Sequence, residues 1–94
     1  MCDQPPRLLD GAVVEMFASA RGAESTGRTR HYVGGEPVTW IDRLAIARYD
    51  DAENVYLFYC DEGWAVITDT WHETAEDAIA QAEFEFEGLI FERV

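Results

Sequence analysis

Residues Asn54 to Gly88 read NVYLFYC, DEG, WAVITDT, WHE and TAEDAIAQAEFEFEG in succession, and this stretch decides the fold. Successive side chains of a strand point to opposite faces. Tyr56, Phe58 and Cys60 therefore alternate with Val55, Leu57 and Tyr59. After Asp61-Glu62-Gly63, the residues Trp64, Val66 and Thr68 alternate with Ala65, Ile67 and Asp69. The pattern predicts a hairpin with a three-residue loop, in which Gly63 takes the left-handed conformation. Leu57, Tyr59, Ala65 and Ile67 fall on one face, and Tyr56, Phe58, Trp64 and Val66 on the other. Both faces are apolar, so each needs cover from the same chain or from a partner.

A helix follows at once. Thr74 is an N-cap residue, and Glu76 and Asp77 place acid in the first turn, where the helix dipole favours it. Ala75, Ala78, Ile79, Ala82 and Phe86 recur at helical spacing and form a narrow apolar stripe suited to close packing on a sheet. Gly88 is placed to end the helix as a C′ residue. Phe84 projects away from the stripe, and Glu76, Glu83 and Glu87 flank it.

Outward from this centre, the chain predicts further strands. Ala12–Ala18 follows a turn at Asp10-Gly11, and Leu44–Tyr49 leads through the loop DDAEN into the hairpin. Val38–Ile41 is a short extended piece, and Leu89–Arg93 is a final strand. Residues 1–9, with Pro5-Pro6, read as a flexible arm. Residues 19–37 hold four of the seven glycines and no apolar periodicity, and read as a long loop. The whole is a single α+β domain over residues 1–94. It is an antiparallel sheet of about five strands in the order β-β-β-β-α-β, with one helix packed on one face. One helix cannot cover both sides of such a sheet, which raises a homodimer as an expectation.

Charge is segregated along the chain. Up to Tyr49, six acids meet six arginines; from Asp50 on, thirteen acids meet the single Arg93, which accounts for the net charge of −12. Such a field repels nucleic acid and favours a basic protein partner. No apolar run approaches the roughly 20 residues of a membrane span, and the opening MCDQPPRLLD lacks a signal-peptide layout. The expected location is the cytoplasm, where Cys2 and Cys60 stay reduced.

Few residues suggest chemistry. Cys60, His72 and the nearby acids lack the repeated short spacing of a zinc site, and no nucleophile–base motif or phosphate loop is visible. No catalytic residue, metal or cofactor is expected. The basic concentration Arg21, Arg28, Arg30 and His31 lies in the glycine-rich loop, where guanidinium groups suit a carboxylate or phosphate. It marks a small anion-binding protein or enzyme as the alternative to an interaction module. For the module, the candidate interface residues are Tyr56, Phe58, Trp64, Phe84, Glu83 and Glu87.

The pieces YLFYCD at 56–61, DTWH at 69–72 and QAEFE at 81–85 resemble a group of small bacterial proteins without a settled activity. That resemblance implies relatedness and brings no catalytic residues. A hairpin followed by Asp69-Thr70 and the acidic, alanine-rich helix from Thr74 to Ala82 is similar in architecture to HicB-type antitoxin domains. Acidic immunity proteins that mask basic toxins offer a further, charge-based analogy.

Overall fold

The computed structural model describes residues 4–20, 23–25, 32–37 and 41–94. Among the described residues, ten strands and one helix follow in chain order. They are β1 (Leu8–Leu9), β2 (Ala12–Ser19), β3 (Glu24–Ser25), β4 (Tyr32–Val33), β5 (Glu36–Pro37), β6 (Arg43–Arg48), β7 (Val55–Cys60), β8 (Val66–His72), α1 (Ala75–Glu85), β9 (Phe86–Glu87) and β10 (Glu92–Arg93). The main sheet is antiparallel and runs β1-β2-β6-β7-β8, with β10 also paired to β2. The fold is α+β, with the helix packed against β6, β7 and β8.

Local chemistry explains the turns. Asp10 and Gly11 both have positive φ, 49° and 85°. This is the geometry a two-residue hairpin loop needs to match strand twist. It reverses the chain so that Leu8 pairs with Val13 and Leu9 with Ala12. The expected arm therefore ends in a strand, because this reversal buries Leu9 beneath the sheet.

The β7–β8 loop departs from expectation in one respect. Its left-handed residue is Trp64, with φ of 68°, and not Gly63. Asp61 Oδ1 accepts from the amides of Gly63 at 2.9 Å and Ala65 at 3.0 Å, and the Asp61 carbonyl accepts from Trp64 N at 3.1 Å. These bonds fix the loop around one aspartate. A bulge at the start of β8 leaves Cys60 opposite Val66 and Tyr59 opposite Thr68.

The helix begins as read. Thr74 is the N-cap, and its hydroxyl accepts from Asp77 N at 3.1 Å. The end comes earlier than Gly88. Phe86 is extended and serves as the C-cap, because Phe86 and Glu87 pair with Ser25 and Glu24. The expected long loop thus contains two short ladders: β3 on β9, and β4 on β5 across Gly34-Gly35. Of the expected final strand, only Glu92 and Arg93 pair, with Phe17 and Met16.

Two cores lie on opposite faces of the sheet. On the helix side Leu44, Ile46, Val55, Leu57 and Tyr59 pack under Ala78 and Ala82. On the other side Phe17, Phe58, Cys60 and Trp64 gather around Ala45 and Ala47. Alanines at the middle of β6 leave room for aromatic rings from both neighbouring strands. The Phe17 and Trp64 rings meet edge to face at 6.2 Å, and the Arg43 guanidinium lies 5.4 Å from the Trp64 ring centre. The second apolar face is therefore buried inside one chain: Phe58 is 1% exposed and Trp64 8%.

Candidate functional site: the acidic β8–α1 side

Strand β8 forms one border of the main sheet. Among the described residues its single neighbour is β7. The opposite border is treated differently, since the outer side of β2 carries both β1 and β10. Residues directly opposite in a ladder share a face. Asp69 and Trp71 therefore stand on the side of Phe58 and Tyr56, their partners in register. Thr68, Thr70 and His72 stand on the helix side, opposite Tyr59, Leu57 and Val55. Asp69 and Trp71 are exposed, Trp71 to 55%.

Acid surrounds this border. Of the thirteen acids from Asp50 onward, all but Asp61 and Glu85 are exposed. Glu73, Glu76 and Asp77 follow β8 directly into the first helical turn, Glu83 is exposed further along the helix, and Glu87 is exposed in β9 just after it. Phe84 sits among them, 46% exposed. No residue of the last helical turn is basic.

The expected interface residues separate into two groups. Phe84 and Glu83 are exposed on the helix, and Glu87 is exposed just beyond it in β9. Tyr56 is half-buried, stacked on Phe58 at 6.0 Å and meeting Tyr49 edge to face at 5.5 Å. Phe58 and Trp64 belong to the core. Arg21, Arg28, Arg30 and His31 lie outside the described residues. A groove of about 560 Å³ beside Ala75 does hold Arg48 and Arg93. Arg48 there already donates to both oxygens of Glu15, at 2.8 and 3.3 Å, and to the carbonyls of Ala52 and Glu53. Its donors are committed to the fold.

Sequence reasoning missed a buried polar chain under the helix. The Tyr59 hydroxyl donates to Glu85 Oε2, which also accepts from Gln81 Nε2 at 2.9 Å. Thr70 bonds Tyr59 from the other side and shares a 2.7 Å hydrogen bond with His72 Nε2. Glu85 is 3% exposed. Burial, then the Glu85 carboxylate, push the Tyr59 phenol well above its ordinary range. Burial also lowers the His72 pKa, with Asp77 and Glu85 opposing it. The signal available in the sequence was spacing: Ala78, Ala82 and Glu85 lie on one helical stripe.

Cys60 is fully buried and free, and burial pushes its thiol up to about 12. This fits a core thiol and is opposite to the depressed pKa of a reactive one. Among the described residues no three His, Cys, Asp or Glu side chains gather as a metal site requires. Among the same residues no helix is long and apolar enough to cross a membrane. No family model, curated protein or solved structure matches the chain.

Proposed function

We propose that this domain is a non-enzymatic interaction module that binds a basic protein partner, in the manner of an antitoxin or immunity protein. The observation that carries the reading is the charge of the β8–α1 side. Asp69, Glu73, Glu76, Asp77, Glu83 and Glu87 are exposed there, and residues 66–87 contain no lysine or arginine. A surface field of one sign steers an oppositely charged partner and repels a nucleic-acid backbone.

Burial raises the Tyr59 phenol and the Cys60 thiol, so neither of these two groups suits acid–base or nucleophilic work. The homodimer expected from an open sheet face loses that motive, since Phe58 and Trp64 are covered within one chain. The cytoplasm remains the proposed location.

Affinity capture at low and at moderate salt tests the reading. Recovery of a basic protein that is released by salt, and lost when Glu83 and Glu87 are changed to Gln together, is the expected result. Recovery of no protein, with a phosphorylated or carboxylate metabolite bound in native mass spectrometry, would overturn it in favour of the arginine loop at 21–31.

A further inference from the structure

The two borders of the sheet are finished differently, and the difference points to where a partner sits. The outer side of β2 is capped twice, by Leu8–Leu9 and by Glu92–Arg93. β8 is as long as the inner strands and among the described residues has nothing on its outer side. A strand border left in this way presents a row of amide donors and carbonyl acceptors. Proteins guard such a border with charged side chains, above all lysine, with proline, with bulges or with a covering segment. The sequence of β8, Val66-Ile67-Thr68-Asp69-Thr70-Trp71-His72, contains neither lysine nor proline, is bulged only at its start, carries the one acid Asp69, and is rich in β-branched residues.

Charge selects the occupant. Asp69 on the strand and Glu73 just after it are exposed, and Asp77 follows in the first helical turn. A second copy of this chain would bring another net charge of −12 against the same border. An extended basic segment brings the complementary sign. The exposed Trp71 face suits a guanidinium stacked upon it.

We propose that the outer border of β8 is the docking strand of this domain. An extended segment of a basic protein adds beside Val66–His72 by backbone hydrogen bonds, with arginine or lysine at alternate positions facing Asp69 and Glu73. This is strand addition, in which main-chain bonds give affinity and alternate side chains give specificity. The inference rests on the acidic-module reading and specifies its geometry.

A peptide of alternating arginine and threonine, as long as β8, is the probe. Its control has the same sequence with every backbone nitrogen methylated, which keeps the charge and removes the donors. Titration of the full chain is followed by fluorescence anisotropy, and amide hydrogen exchange locates the contact. The expected result is binding of the unmodified peptide, slowed exchange at alternate amides of β8, and unchanged exchange in β2. Asp69→Asn with Glu73→Gln should weaken binding roughly threefold to tenfold, as two exposed ion pairs would. Equal binding of both peptides, or protection outside β8, overturns the docking strand and leaves the acidic module standing. Binding of neither peptide counts against both.

Discussion

The Tyr59 hydroxyl donates to the Glu85 carboxylate across the interface between β7 and the helix, joining residues 26 positions apart in the chain. Both groups are buried, and Gln81 completes the carboxylate's coordination from one helical turn earlier. The pair ties the last turn of α1 to the sheet. A buried carboxylate deprived of a donor costs about 1–3 kcal/mol or more. Tyr59→Phe should therefore lower unfolding free energy by that amount in urea denaturation. A variant as stable as the parent would show that the hydroxyl contributes nothing to the fold.

Alkaline pH should loosen the same region. Tyr59 is raised above the ordinary tyrosine value of 10.0, and Cys60 is raised from 9.0 to about 12. Both groups are neutral in the fold and ionise more readily in the unfolded chain. Their contribution is complete below about pH 9, and stability falls as pH rises from there through the folded values. Denaturant midpoints measured from pH 8 upward should decline. Tyr59→Phe should flatten the part of that decline above pH 10, the ordinary value of tyrosine. A thiol reagent at neutral pH should leave Cys60 unlabelled in the native protein and label it in denaturant.

Acid acts through His72 in the opposite sense. Its pKa is lowered from 6.5, chiefly by burial, so the unfolded chain takes up the proton first. The contribution is present above pH 6.5 and is lost as pH falls through the folded value. A His72→Gln variant should show a shallower loss of stability between neutral and mildly acidic pH.

Trp64 carries two local costs. Its backbone is left-handed at φ 68°, and among the described residues its buried indole N–H has no hydrogen-bond partner. The ring nevertheless fills the second core between Phe17 and Arg43. Trp64→Phe keeps an aromatic ring there and removes the orphaned donor, so its stability should stay within about 1.5 kcal/mol of the parent. Trp64→Gly relieves the backbone but empties the site, and should lose about 3 kcal/mol or more. Thermal unfolding of the two variants orders these effects, and equal losses would refute the account.

Ala78 and Ala82 are fully buried where the helix meets the sheet. Both belong to the same cluster as Leu57 and Tyr59, so a larger side chain has to displace close-packed neighbours. Ala82→Leu should therefore destabilise by about 1–3 kcal/mol despite adding apolar surface. Calorimetry showing a stabilised variant would mean that the interface has slack.

How far the sequence discloses this structure follows from the range of each signal. Alternation in β7 and β8, the Asp10-Gly11 reversal and the Thr74 cap are local, and they are legible within a few residues. The burial of Phe58 and Trp64 is not local. It depends on β6 lying between β2 and β7, so that Ala45 and Ala47 leave space for rings from either side. Glu85 misleads for a related reason. A glutamate among Glu83 and Glu87 reads as solvated until Tyr59 is placed beneath it. The acidic side was visible as charge, but its exposed strand border was not, since border position is a property of the whole sheet.

The pairing of β10 with β2 has a consequence for how the chain assembles. β6, β7 and β8 form a meander of neighbours in sequence, and their contacts close short loops. Arg93 and Glu92 must find Met16 and Phe17 across most of the chain's length. Closing so long a loop has a high entropic cost before any contact repays it, and such non-local contacts slow folding. The meander and its docked helix therefore close at a lower entropic cost than the two-residue strand at 92–93, whose pairing with β2 spans most of the chain.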